Sequence, residues 1–519
     1  MRPPLDPPSR RVQSRGRIAA RAAAAGFVFV SIAQPAGAQK DVSFPPEVYA
    51  GRRARVLDAV GGAPVVLAGR YLIRADEGTR QDPDFWYLTG VESPYAILVM
   101  ARGRDGKPVE TLFVPDQYQF TGAQYPIDDA RFRRAAWNIA GSRLYPGEEA
   151  VRRTGIANVR RLDEFIERLP GLIGAARRVH VLRDASSLYG PPGMSPPLTI
   201  GQQFEAALAK HTPGITFADV RGVVRRMRLV KDEWEIAALR RAAQISADGL
   251  IEAMRAARPG MNDLEMAGLM EYVWKKEGSP HASFGPIVMS GDAGVSLYTI
   301  RAERYHSTDR VMQAGELVFV DYGAAEFDTY ASDLCRTFPV TGRFTDEQRK
   351  WYEIVLEAQE AALRAVRPGV MMIDVIRAAA QVFRDHGLEP NEDIAKLGEA
   401  HVWGIMPSPT YWLARRGGLT DYSGARGTGV RDLGHHVGLE ALDSRDYTQP
   451  LQPGMVFTIE PKLYIPDPGI AIMIEDMVLV TAQGHENLSA RAPRTVADIE
   501  ALMAQRRSGP GGSYPENRE

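Results

Sequence analysis

The chain has 519 residues, 45% hydrophobic and 24% charged, with 63 basic against 64 acidic side chains and one cysteine. That length exceeds one ordinary core and implies roughly two or three domains. The composition excludes general disorder, and no apolar run reaches the roughly twenty residues that span a bilayer. The single Cys335 excludes an intrachain disulfide, so a metal site here must use oxygen and imidazole ligands.

Residues 1–38 read as an export signal, which places the protein in the periplasm or outside the cell. Six arginines precede position 22 against one acid, Asp6, then 22–32 is apolar, and Ala36-Gly37-Ala38 offers a small-residue cleavage site. "SRRVQ" at Ser9 to Gln13 leaves Sec and twin-arginine export both open. Residues 39–519 carry 57 basic and 63 acidic residues, a net charge of −6, which argues against a nucleic-acid partner.

Residues 52–60 have a helical pattern, followed by β-like runs at 64–69, 95–101, 110–116 and 178–184 with helical segments between them. This α/β texture changes near residue 220, and a domain boundary is expected just before Arg225, separating 42–224 from 225–505. Two helical stretches (233–257, 262–277) then precede β-runs, and two more (346–366, 372–386) precede a second set. Helices followed by antiparallel strands, twice over, suggest an internal duplication. Residues 506–519 lack apolar periodicity and read as a flexible tail.

Four acids break the apolar pattern of the second half. "GELVFVDYG" places Asp321 where another buried residue is expected, and "YASDLCRTFPV" does the same with Asp333. "MVFTIEP" ends an apolar run on Glu460, and "GIAIMIEDMVLV" buries Glu475 inside a nearly all-apolar strand from Ile470 to Val480. A carboxylate in a buried strand is costly unless paired or metal-bound. With a histidine added, four of them make the ligand set of a carboxylate-rich divalent site. "GVRDLGHHVGLEALDS" supplies two adjacent histidines, His435 and His436, which cannot both face one site from an extended chain. Cys335, among apolar and arginine neighbours, reads as a small buried thiol and not a nucleophile.

"VDYG…YASDLCRTFPVTGRFTDEQ", "LGHHVGLE", "VFTIEPKLYI" and "GIAIMIEDMVLV" resemble the catalytic domain of the pita-bread metallopeptidases. "RRARVLDAV…QDPDFWYLTGVESPYAILVM" resembles the creatinase-like N-terminal domain of aminopeptidase P. The resemblance implies an α/β creatinase-like domain followed by an α+β pita-bread domain with pseudo-twofold duplicated halves. It makes Asp321, Asp333, His435, Glu460 and Glu475 ligands of two divalent ions, usually manganese, with Glu460 also taking the proton from the attacking water. His435 is the ligand because it stands three residues before Gly438-Leu439. The implied substrate is a peptide with proline second, and family members form dimers or tetramers.

The sequence departs from the family where substrate-positioning histidines stand. Arg431 and Leu442 occupy two such positions, and Tyr298 aligns with a third. Met473 replaces an arginine, Lys462 replaces a glycine, and the two aspartates are twelve apart where eleven is usual. His306, fifteen residues before Asp321, is a candidate replacement for the Tyr298-position histidine and hence a catalytic residue. His281 is a poorer candidate, and His180, His211, His386 and His485 have no motif around them. Three readings stay open at this point: an exported, slow Xaa-Pro aminopeptidase; a pita-bread hydrolase or lyase acting on a non-peptide molecule; and an inactive metal-binding scaffold.

Overall fold

A computed structural model describes residues 44–70, 80–115, 144–183, 198–296, 309–322, 329–388, 401–403, 433–443, 449–465 and 469–505. Residues 1–38, expected to be an export signal, residues 506–519, expected to be a tail, and Tyr298, His306 and Arg431 lie outside them.

The first half contains α1 (Pro46–Ala59), β1 (Val65–Ala68), α2 (Pro83–Thr89), β2 (Ile97–Arg102), β3 (Pro108–Val114), α3 (Glu148–Thr154), β4 (Asn158–Arg161), α4 (Phe165–Ile173), β5 (Arg178–Val181), α5 (Ile200–His211) and β6 (Thr216–Asp219). The strands form one mixed sheet in the order β4-β3-β2-β1-β5-β6. β1 pairs antiparallel with β2 and parallel with β5, which is the α/β texture read from the sequence. Helix α1 starts earlier than its apolar pattern suggested. Pro46 occupies its first turn, where proline's missing N–H costs nothing and its fixed φ suits a helix.

Helix α6 (Arg221–Leu229) leads into α7 (Glu233–Ala256) and α8 (Asp263–Lys276). Asp232 caps α7 by accepting from the amides of Trp234 and Glu235, while the Glu235 side chain returns to the Asp232 amide. Then come β7 (Ile287–Ser290), α9 (Asp292–Ser296), β8 (Leu317–Asp321) and β9 (Cys335–Pro339), followed by α10 (Asp346–Ala365) and α11 (Met372–Asp385). The chain continues with β10 (His401–Trp403), β11 (Val456–Ile459), β12 (Lys462–Ile465), β13 (Ile470–Met473), β14 (Asp476–Val480), β15 (His485–Asn487) and α12 (Val496–Met503). Three antiparallel sheets result, β7-β8-β9, β10-β12-β13 and β11-β14-β15. A large apolar core spanning α7, α8, α10 and α11 backs these strands.

The single strand expected from Ile470 to Val480 is in fact two. β13 pairs with β12, whereas β14 pairs with β11 in another sheet, and Ile474-Glu475 is the crossing between them. There the Glu475 amide donates to the Cys335 carbonyl at 3.0 Å, so the crossing residue is held by β9. The uninterrupted apolar run reflects burial on both faces of each sheet, which conceals the switch. Asp333 likewise stands two residues before β9, not within it, and Glu460 just after β11.

Candidate metal centre

Each acid reaches the site because a strand ends there. Asp321 is the last residue of β8 and sits opposite Cys335, the first residue of β9. Asp333, two residues upstream of Cys335, lies near the same end of the strand pair. Glu460 leaves β11 as Glu475 enters β14, whose first residue Asp476 pairs with Ile459. The histidine arrives on residues 433–437, which run along β11: the Thr458 amide donates to the His435 carbonyl at 2.8 Å and that of Glu460 to Leu433 at 2.7 Å. Gly434 is required for this approach, because a Cβ there would lie 1.8 Å from the Thr458 oxygen.

The segment is also braced from behind. Arg228 of α6 donates to Glu440 at 2.8 Å, to Asp84 at 2.6 Å and to Asp443, and Lys231 meets Asp443 at 3.2 Å. His436 faces this side. Its ring packs edge-on against Phe457, and burial together with the Lys231 charge pushes its pKa down to about 3. His435 faces the other way, with Nε2 3.3 Å from Asp333 Oδ2 and 3.6 Å from Glu460 Oε1. The alternation expected of an extended chain thus separates the two histidines.

Ligand-capable atoms of Asp333, His435 and Glu475 all lie within 4.8 Å of one another. Asp321, Asp333, Glu460 and Glu475 are each at most 8% exposed. Burial pushes the Asp321 and Glu475 carboxyls well above the usual range, and repulsion from neighbouring carboxylates, Asp333 foremost, adds to it. Asp333 is also raised by burial, although His435 opposes the shift. Against the cost of burial, the Asp333 and Glu460 carboxylates hold the His435 imidazole up at about 9. Burial would also raise Glu460, but Lys462 and His435 outweigh it and keep its carboxyl below the usual range. Glu475 Oε2 has no hydrogen-bond partner among the described residues. A sealed, mutually repelling set of carboxylates with an orphaned oxygen fits a hard divalent cation, and the oxygen and imidazole donors suit manganese better than copper.

The residue that sequence reasoning did not place in the site is Lys462. Its ammonium lies 2.5 Å from Glu460 Oε2, with both side chains under 10% exposed. The signals were a lysine at the start of an otherwise apolar strand and its departure from the glycine that the resemblance expects there. Leu442 is 51% exposed, and Met473 is fully buried opposite Lys462. Cys335 is buried as expected, and burial first, then Asp321 and Glu475, raise its thiol pKa well above normal, which keeps it inert.

Fold and site together define a metal-dependent hydrolase. Residues 237–482 match the family model of metallopeptidase family M24, and residues 49–182 match that of the aminopeptidase P N-terminal domain. The Xaa-Pro aminopeptidase of Escherichia coli (strain K12) is 31% identical over 463 residues, covering 86% of this chain and 95% of that protein. That of Haemophilus influenzae is 30% identical over 440 residues, covering 82% and 88%. The solved structure of aminopeptidase P from E. coli with the inhibitor Pro-Leu superposes with a TM-score of 0.68 at 29% identity, covering 89% of this chain and 99% of that one. The chain belongs to metallopeptidase family M24, as an aminopeptidase-P-like metallohydrolase with an N-terminal aminopeptidase P domain and a pita-bread catalytic domain.

Proposed function

We propose that the protein is an exported Xaa-Pro aminopeptidase, dependent on two manganese ions and slow for its family. The observation that carries this reading is the convergence of Asp333, His435 and Glu475 within 4.8 Å, with Asp321 and Glu460 buried beside them. The relatives named Xaa-Pro aminopeptidase, matched over both domains, support the choice of substrate class.

In this reading Asp321, Asp333, His435, Glu460 and Glu475 would hold the two ions. When bound, such ions polarise a scissile carbonyl and acidify a water molecule. Glu460 takes the proton from the attacking water. Its carboxyl is ionised at neutral pH because Lys462 and His435 hold its pKa down, which makes it available as a base but a weak one. Thr458 Oγ1 donates to Glu460 Oε1 at 3.2 Å and fixes its orientation.

One feature supports slow turnover: Leu442 offers no donor where the resemblance expects a histidine, and loss of one donor to a developing oxyanion typically costs about a hundredfold or more. His306 enters as the replacement imidazole on sequence alone, since it lies outside the described residues. The test is manganese-dependent release of the first residue from a peptide with proline second.

A further inference from the structure

Arg80 stands just ahead of α2 and reaches out of the N-terminal domain. Its Nη2 donates to the Thr329 carbonyl at 3.1 Å and also to the Leu439 carbonyl. Both acceptors belong to segments that carry metal-site side chains: Thr329 lies four residues before Asp333, and Leu439 lies four residues after His435. These two segments touch where the Ala331 amide donates to the Gly438 carbonyl at 2.8 Å. Arg80 adds a second tie between them, and it comes from another domain.

The arm that presents Arg80 is fixed at its base. Gln81 Oε1 accepts from the amides of Arg70 at 2.6 Å and Asp82 at 2.8 Å, while Gln81 Nε2 donates to the Ser93 carbonyl at 2.9 Å. Asp82 caps α2, and Arg221 holds Asp82 at 3.2 Å and Asp84 at 2.7 Å. A planar guanidinium delivered from a braced position loses little freedom when it engages two carbonyls.

One of the segments it grips is strained. Thr329 has φ +66°, in the left-handed region that a β-branched residue rarely enters, and its buried Oγ1 has no hydrogen-bond partner among the described residues. Such a conformation persists only where its surroundings over-determine it, and it is found most often at functional sites.

We propose that Arg80 is a positioning residue of the metal centre. By holding Thr329 and Leu439 together, the N-terminal domain sets the spacing of Asp333 and His435, whose Oδ2 and Nε2 stand 3.3 Å apart. The first domain thus takes part in metal binding without supplying a ligand. This rests on the reading of the carboxylate–histidine cluster as a metal site. Without the grip, the ion itself has to restore the spacing, and affinity falls.

The experiment measures the Mn(II) affinity of the metal-stripped full chain by isothermal titration calorimetry, together with its melting temperature without metal. Arg80→Met is expected to bind manganese about tenfold or more weakly. Arg80→Lys, which restores a cationic donor, is expected to recover much of that loss. Arg183→Met is the control, because Arg183 grips Glu205 at 2.7 Å and the Phe217 carbonyl at 3.2 Å within the first half of the chain. It is expected to lower the melting temperature and leave manganese affinity unchanged. Equal affinity in the parent and Arg80→Met overturns the proposal, as does an Arg80→Lys chain as weak as Arg80→Met. An equal fall in Arg80→Met and Arg183→Met also overturns it, since general destabilisation would then be the cause. If Arg80→Met fails to fold, Arg80→Gln, with one neutral amide donor, carries the same comparison. A parent that binds no manganese removes the metal-site reading and this proposal with it, whereas a parent that binds it as tightly as every variant removes the proposal alone.

Discussion

The guanidinium of Arg336 donates to Asp476 Oδ1 at 2.7 Å with both side chains wholly buried, and its other terminal nitrogen donates to the carbonyl of Glu475 at 2.5 Å. Arg336 also reaches the carbonyls of Cys335 at 2.8 Å, Ala492 at 3.1 Å and Pro493 at 2.9 Å. One arginine in β9 therefore fastens the crossing from which Glu475 enters the metal site. Asp476 is completed by Ser489 Oγ at 2.7 Å and Gln359 Nε2 at 3.1 Å.

Breaking this pair by Arg336→Met leaves Asp476 charged and buried, which should destabilise the protein by about 3–5 kcal/mol. Adding Asp476→Asn to it should recover part of that loss, because the uncompensated charge is then gone. Urea denaturation of the two single variants and the double variant measures the coupling. Additive effects would mean that the ion pair does not hold the crossing.

Glu475→Gln should act in opposite directions with and without metal. In the metal-free protein, burial and the neighbouring carboxylates raise the Glu475 pKa, so ionising it becomes more costly as pH rises. The neutral amide removes that cost, and the metal-free variant should melt no lower than the parent at pH 8. Manganese should then stabilise the parent by about 1.4 kcal/mol for each tenfold excess over its dissociation constant, and the variant by much less. Equal gains on adding manganese would remove Glu475 from the ligand set.

Glu235 gives a pH dependence remote from the metal. It accepts from Tyr330 Oη at 3.0 Å and pairs with Arg52 at 3.1 Å, yet burial pushes its carboxyl from 4.5 to about 7. The folded-state pKa is raised, so the contribution is complete below pH 4.5 and is lost as pH rises through 7. That loss is about 3 kcal/mol at most. Denaturation from pH 4.5 to 8 should show the parent losing more stability than Glu235→Gln, and parallel curves would contradict the assignment.

Export makes a separate claim. If Ala36-Gly37-Ala38 is cleaved, the mature chain begins at Gln39, and N-terminal sequencing of protein recovered from its native host should read from there. A mature chain that retains residues 1–38 would reject it.

The legible features are those in which a local rule and the tertiary structure agree. The apolar spacing implied a helix over 233–257, and α7 runs Glu233–Ala256, with Asp232 and Glu235 closing its first turn by a reciprocal cap. Asp321, Asp333, Glu460 and Glu475 stood out because a buried carboxylate is too costly to occur without a partner. The break at Ile474-Glu475 was not legible, since its cause is pairing with β12 on one side and β11 on the other, partners set by the fold and not by the run itself. The pairing of Lys462 with Glu460 was hidden for a similar reason. A lysine at the head of a strand reads as an edge residue until the neighbouring strand end is seen beside it.

The most direct test of the central claim uses metal-stripped protein reloaded with manganese and two peptides that differ only in having proline or alanine second. The account predicts slow release of the first residue from the proline peptide alone, absent without manganese and reduced about a hundredfold or more in Glu460→Gln. Failure to cleave the proline peptide with two ions bound, or cleavage that survives metal removal or Glu460→Gln, would contradict it.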